Sequence, residues 1–253
     1  MTDRDILSHI KPGLTPSIRC YPSLPSTNTT LREWAEAGAP GGAGVIAEAQ
    51  TAGRGRLGRS FASPVGAGLY MSLLVREAIP IGRLPLLTPY AAVAAARAIE
   101  SVAELRVGIK WVNDLRVGEK KIAGILTEVG FSPSGEPAFA VVGIGINLLP
   151  GALPEELGPI AAAIGDFTLP PSREKLAAAI FNEFFGRLPS LLDGSFLSEY
   201  RRRSVVLGRT VTAIDGERTA VGVATAIEDD GALRLETEGG PLLLRAGEVS
   251  IKL

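Results

Sequence analysis

Apolar and small residues change period several times along the 253-residue chain, and each change predicts an element. Residues 17–21 form a short run stopped by Pro22 and Pro25, which reads as a strand. Ser26-Thr27-Asn28 then looks like a helix cap ahead of Leu31-Arg32-Glu33-Trp34-Ala35. Apolar runs at 44–50 and 69–75 predict two more strands, and Ala-rich 88–105 predicts a helix whose small side chains allow close packing on a sheet. Strand-like runs follow at 106–111, 121–129 and 138–148. The first two are joined by a turn region carrying Asn113, Asp114 and Gly118, and the spacing suits an antiparallel meander. Leu176, Ile180, Phe184 and Leu188 recur at helical period, so one amphipathic helix is expected over 172–192. A second short helix closes on Arg201-Arg202-Arg203, where positive charge suits the C-terminal end of the helix dipole. From Gly208 onward short alternating strands are parted by Asp215-Gly216, Asp229-Asp230-Gly231 and Gly239-Gly240, the texture of a small, partly open β-barrel.

Charge removes several functional classes. Lys+Arg 26 against Asp+Glu 27 leaves no overall pull toward nucleic acid or membrane, so any anion binding must be local. Cys20 is the only cysteine and His9 the only histidine, which excludes intrachain disulfides, the usual Cys/His zinc sites and a His-based triad in the body of the chain. The charged start Met1-Thr2-Asp3-Arg4-Asp5 is unlike a signal or transit peptide. The most apolar helical stretch, 86–102, carries Arg97 and Glu100 and is short for a membrane span. A soluble, cytoplasmic protein without membrane contact is expected.

The local anion site is Gln50-Thr51-Ala52-Gly53-Arg54-Gly55-Arg56-Leu57-Gly58-Arg59, with no acid to neutralise its arginines. Small residues let backbone approach a ligand, and guanidinium forks match carboxylate and phosphate oxygens. The spacing meets a dinucleotide fingerprint and nearly meets a P-loop, but both need a helix next, and Pro64, Gly66 and Gly68 follow instead. A solvated basic surface loop stays open at this point. Further along stand Lys110-Trp111-Val112-Asn113-Asp114, then Lys121 opening an apolar strand, then Val142-Gly143-Ile144-Gly145-Ile146-Asn147. Taken singly, a lysine at a strand start is usually solvated and Asn-Asp is usually a turn former. Two glycines within a strand permit close approach of a ligand or another backbone.

Taken in order, the Gly-Arg loop, Lys110-Trp111-x-Asn113-Asp114, Lys121-x-Ala123-Gly124-Ile125-Leu126 and Gly143-Ile144-Gly145-Ile146-Asn147 resemble the biotin protein ligase family. Ser26-Thr27-Asn28 matches as well, and the β-rich tail resembles the family's SH3-like domain. The resemblance implies an α+β fold: a mixed, largely antiparallel sheet flanked by helices, of the class II synthetase type, over 1–205, with a small C-terminal SH3-like β-barrel over 206–253. It implies a two-step reaction, in which biotin and ATP give biotinyl-5′-AMP and pyrophosphate, and biotin then passes to a lysine of a biotin carboxyl carrier domain. Mg²⁺ would accompany ATP, with Asp114 as the metal-side carboxylate.

Residue by residue, Ser26, Thr27, Asn28, Gln50, Gly53, Arg54, Arg56, Lys121, Gly143 and Gly145 match biotin-binding positions. Arg54, Arg56, Arg59, Phe61, Lys110, Asn113, Asp114, Lys121 and Asn147 match the ATP and adenylate side. Lys121 and Arg54 are the catalytic candidates, and the two glycines are expected to let the sheet floor accept the bicyclic ring. Val112 stands where the family usually has proline, which should loosen that turn. Phe61 replaces a usual tryptophan, and Leu57 a position that is often basic. The loop is expected to be disordered until ligand closes it.

A lipoate or octanoate ligase of the same superfold uses the same adenylation logic on another acyl chain, and a non-catalytic biotin or adenylate sensor would keep the pocket without transfer. A homodimer is expected from the resemblance. Only about 25 residues precede Ser26, too few for the DNA-binding domain that some family members carry. No sequence-specific DNA binding is therefore expected, and a tight, salt-resistant complex with a biotin operator in a gel-shift titration would contradict this.

Overall fold

Strand β3 (Gly68–Val75) is buried along all eight of its residues, which is why its apolar run shows no alternation. It lies inside a seven-stranded sheet in the computed structural model, which describes residues 1–216 and 218–251. The other strands are β1 (Ile18–Tyr21), β2 (Gly44–Ala47), β4 (Gly108–Lys110), β5 (Asp114–Val117), β6 (Lys120–Phe131) and β7 (Pro137–Asn147). Their order is β1-β2-β3-β7-β6-β5-β4, with β1 and β2 parallel and every other neighbouring pair antiparallel. This is the mixed, largely antiparallel sheet expected.

Helices cover the sheet unequally. Helix α3 (Leu87–Val102) and α4 (Arg173–Gly186) pack on one face, around Leu69, Met71, Leu73, Ile144 and Ile146. On the other face, α2 (Thr27–Glu36) places Leu31 and Ala35 against Val45, Leu74 and Val141. The remainder of that second face is left for a site. Short helices α1 (Asp3–Leu7), α5 (Pro189–Asp193) and α6 (Leu197–Arg203) complete the helical layer.

Three local expectations need correction. The helix expected over 172–192 is two, α4 and α5, because Gly186 and Pro189 interrupt it; all four periodic residues are buried nonetheless. Residues 114–117 form strand β5, so Asp114 points from a sheet rather than from a turn. Ser26 holds the N-cap position of α2, but its side chain makes no capping hydrogen bond. The arginines of α6 have structural partners: Arg203 meets Glu100 at 2.7 Å and Glu199 at 2.8 Å, and Arg201 meets Asp229 at 2.6 Å.

The C-terminal strands β8 (Thr210–Asp215), β9 (Arg218–Ile227), β10 (Leu233–Thr237), β11 (Gly240–Leu244) and β12 (Glu248–Ile251) form one antiparallel sheet in the order β11-β10-β9-β8-β12. Val211, Ala213, Ala224, Leu233 and Val249 join the same apolar cluster as α3. Polar contacts add to this seam. Trp111, itself buried, donates its Nε1 hydrogen to the Gly231 carbonyl at 3.0 Å.

Replacing Trp111 with Phe keeps most of the ring area but leaves that carbonyl without its donor, a loss of about 1–3 kcal/mol. A urea titration should show a lower midpoint with unchanged slope, and an unchanged midpoint would show that the bond contributes nothing.

Candidate active site

Cross-strand register gathers the motifs onto the open face. Tyr70, Gly145, Gly124, Asp114 and Lys110 lie in one row across β3, β7, β6, β5 and β4. Ser72, Gly143 and Leu126 lie in the neighbouring row. Pairing between β5 and β6 then slips, with Leu115 opposite Ala123 but Arg116 opposite Lys121, so Ile122 is the extra residue of a bulge. The bulge turns Lys121 onto the same face as Gly124. Lys121 leans back over that glycine, where an added Cβ would lie 3.1 Å from Nζ, and Nζ reaches Asp114 Oδ1 at 2.6 Å.

An inner pocket of about 490 Å³ opens on this face. Ser26, Thr27, Asn28, Gln50, Arg54, Arg56, Phe61, Asn113, Lys121, Gly143 and Gly145 all line it. One hydrogen-bond chain sets its polar wall. Glu128 Oε2 accepts from Asn28 Nδ2 at 2.7 Å, and the Ser72 hydroxyl donates to Asn28 Oδ1 at 2.6 Å and lies 2.8 Å from Thr27 Oγ1. The Thr27 N–H donates to Gln50 Oε1 at 2.9 Å, Gln50 Nε2 donates to Ser63 Oγ at 2.8 Å, and the Ser63 hydroxyl donates to the Phe61 carbonyl at 3.0 Å. The Ser26 hydroxyl, free of capping duty, remains available to a ligand.

The two floor glycines have a nearer task than receiving a ring. A Cβ on Gly143 would lie 2.3 Å from Asn28 Oδ1, and one on Gly145 would lie 2.6 Å from the Phe61 ring. They admit the protein's own side chains, which in turn shape the pocket.

An outer cleft of about 1620 Å³ adjoins the pocket, and Gly55, Arg56, Phe61, Asn113 and Lys121 line both. Arg59, Lys110, Asp114 and Arg116 line the outer cleft alone, together with Glu248 and Ser250 of the C-terminal sheet. Lys110 is held below the usual lysine value, chiefly by burial and further by Arg116 and Lys121, while Asp114 pulls the other way. An anion arriving in the cleft would offset the repulsion from Arg116 and Lys121. Asn113 is fixed on both sides, donating Nδ2 to the Ile125 carbonyl at 3.0 Å and accepting from Arg56 at 3.2 Å.

The arginine loop is not free of acids, although its own sequence suggested that it would be. It closes as a short hairpin, with the Phe61 N–H on the Gly53 carbonyl at 2.9 Å and the Gly55 N–H on the Arg59 carbonyl at 2.7 Å. Acids distant in sequence meet its arginines: Arg54 pairs with Glu128 at 2.9 Å and Arg59 with Glu248 at 2.6 Å. Arg56 donates to the Gly247 carbonyl at 3.0 Å. The turn at Val112 is held as well, its carbonyl accepting from Tyr200 at 3.1 Å.

Two expected site residues stand behind the walls. Asn147 lines neither cavity; its amide donates to the Ala162 carbonyl at 3.1 Å and so anchors the segment whose Ile160 carbonyl receives the Lys121 N–H. Gly53 is buried beneath the loop, where an added Cβ would meet the Phe61 carbonyl at 2.4 Å. Cys20 and His9 play no part in either cavity, and burial pushes the Cys20 thiol up to about 11. Sequence reasoning missed Glu128, Ser72 and Arg116. A weak signal existed for Glu128, an acid within a strand of small and apolar residues, but nothing in the sequence paired it with Arg54.

Comparison with known proteins places the chain in a family. The model of the Biotin/lipoate A/B protein ligase family matches residues 20–147, and that of the Biotin protein ligase C terminal domain matches residues 206–252. The biotin–acetyl-CoA-carboxylase ligase of Mycobacterium tuberculosis is 34% identical over 233 residues, covering 88% of this chain and 85% of the relative. Its counterpart from Paracoccus denitrificans is 32% identical over 238 residues, covering 88% and 96%. The solved biotin protein ligase from Aquifex aeolicus, in complex with biotin and ATP, has a TM-score of 0.80 at 27% identity, covering 93% of this chain and 98% of that one. With the motifs on one sheet face, both domains matched and two relatives above 30% identity over most of their length, the chain belongs to the biotin protein ligase family.

Proposed function

We propose that this chain activates biotin with ATP and passes it to a lysine of a biotin carboxyl carrier domain, working as a biotin–acetyl-CoA-carboxylase ligase. The observation that carries this reading is the meeting of a small pocket with polar walls and a larger cationic cleft at Lys121, Arg56 and Phe61. Biotin occupies the inner pocket. Ser26, Thr27, Gln50 and Asn28 offer its ureido group donors and acceptors, and the carboxylate points toward the cleft that holds ATP.

In the first step a carboxylate oxygen of biotin attacks the α-phosphorus of ATP, the bond to the β-phosphate oxygen breaks, and pyrophosphate leaves. Two anions must be brought together, so the work of the chain is positioning and charge neutralisation. Lys121 sits at the junction of the two cavities and can contact both the carboxylate and the α-phosphate. Arg56 and Phe61 line both cavities with it, while Lys110 lines the outer cleft and Arg54 the inner pocket. In the second step the acceptor lysine amine attacks the acyl carbon, the bond to the adenylate oxygen breaks, and AMP departs. Lys121 then faces the charge returning to the phosphate. A closed Gly-Arg loop keeps water from the anhydride meanwhile.

Mg²⁺ fits as a companion of ATP. The described residues hold no group of three His, Cys, Asp or Glu side chains suited to a metal, but magnesium bound with nucleotide needs only one or two carboxylates beside phosphates and water. Asp114, on the wall of the outer cleft, is the residue that would hold it, and the ion would neutralise phosphate charge. No helix among the described residues is long and apolar enough to cross a membrane. A cytoplasmic homodimer is the working form proposed, open to direct measurement by sedimentation.

The proposal is tested by pyrophosphate exchange into ATP with biotin or lipoate as acyl donor, followed by transfer to a biotin carboxyl carrier domain. Exchange and transfer with biotin are expected. Exchange with lipoate alone would overturn the substrate, and exchange without transfer would leave a sensor. Lys121→Ala should slow adenylation and transfer each by about 10²–10³-fold, the scale of a lost transition-state donor; an effect on one step alone would remove Lys121 from the other. Arg54→Ala should leave the fold intact but release biotinyl-AMP faster, read by trapping the released intermediate with hydroxylamine. Unchanged retention would show that Arg54 does not grip it.

A further inference from the structure

Lys110 and Lys121 are not the only cations on the meander. Arg116 lies directly opposite Lys121 across β5 and β6, two residues along β5 from Asp114, and so on the same face. It lines the outer cleft with both lysines. Its charge is one of the influences that hold Lys110 low, which places its guanidinium within electrostatic reach of that amine. Three cations therefore converge on one wall of the cleft, with Asp114 engaged by Lys121.

The side chain is poorly satisfied where it stands. Its Nε is buried without a hydrogen-bond partner among the described residues. Its one ion contact among the described residues, Nη1 to Glu119 at 3.3 Å, is to a carboxylate that is 57% exposed and also lies 3.4 Å from Arg209. A buried donor without an acceptor is unfavourable, and although the Arg116 side chain is itself only 14% exposed, a partner that is exposed and shared does little to hold its guanidinium in place. The fork can therefore leave Glu119 for a better acceptor at small cost, and a diphosphate in the cleft offers oxygens in the geometry it prefers.

We propose that Arg116 is the residue that binds the terminal diphosphate of ATP, and the same diphosphate once it is released as pyrophosphate. This rests on the reading of the chain as an ATP-dependent biotin ligase. Lys121 works at the α-phosphate and the carboxylate, whereas Arg116, opposite it across the bulged pair, takes the leaving group. Charge on the departing pyrophosphate then meets a cation that makes no contact with biotin.

The test uses the two halves of the reaction, because biotinyl-AMP lacks the diphosphate. In pyrophosphate exchange, Arg116→Gln should raise KM for both ATP and pyrophosphate roughly ten- to hundredfold, the scale of a lost charge-assisted hydrogen bond. KM for biotin and the rate of transfer from purified biotinyl-AMP to a carrier domain should stay at wild-type values. Arg116→Lys, which keeps the charge but loses the fork, should fall between; because it is the more conservative change, it carries the same test if the glutamine variant does not fold. KM values for ATP and pyrophosphate within twofold of wild type, or a loss shared equally by exchange and transfer, would overturn the assignment. Absence of biotin-dependent exchange in the wild-type protein would instead overturn the ligase reading beneath it.

Discussion

A lysine ammonium proposed to face two anions has to be held in place, and the Lys121–Asp114 pair shows how this chain holds one. The bulge at Ile122 turns Lys121 to the open face, Gly124 makes room for its stem, and Asp114 meets its ammonium at 2.6 Å. Its own backbone is clamped from outside the sheet, the N–H on the Ile160 carbonyl and the carbonyl receiving the Ala162 N–H. Everything else in the site is arranged around that charge. The inner pocket and the outer cleft are continuous because both are walled by Lys121, and the register of β5 and β6 fixes which neighbours it has.

The arginine loop obeys the same constraint by another route. Its own sequence supplies no acid, so its charge is balanced by Glu128 of the central sheet and Glu248 of the C-terminal sheet. The first of these acids also holds Asn28, which packs against Gly143, and so one carboxylate ties a loop arginine to the polar wall of the inner pocket. The second ties the loop to the C-terminal domain, beside the bond from Arg56 to the Gly247 carbonyl.

Much of this was legible in the sequence, and the reasons for the rest are physical. Long apolar runs located β3, β6 and β7 because buried strands leave no other pattern, and ordered motifs located the inner pocket because each is local to one strand or loop. The break after Gly186 was hidden by apolar spacing that continues in phase through Leu188, although the backbone does not. Strand β5 was hidden by its brevity and by an Asn-Asp start that looks like a turn. The partners of the arginines were illegible because Arg54 to Glu128 and Arg59 to Glu248 are tertiary contacts with no local signature. Asn147 was misplaced for the converse reason: it belongs to a motif, but the 160–163 segment covers it.

The central claim is that Lys121 stands at the acyl-phosphate linkage, drawn there from Asp114. A crystal structure with a non-hydrolysable biotinyl-adenylate analogue measures this directly, as the distance from Lys121 Nζ to the oxygens of the linkage. The account requires contact at about 2.8 Å, with the adenylate in the outer cleft and the bicyclic ring in the inner pocket. An Nζ still seated on Asp114, with the linkage out of hydrogen-bond reach, would contradict it.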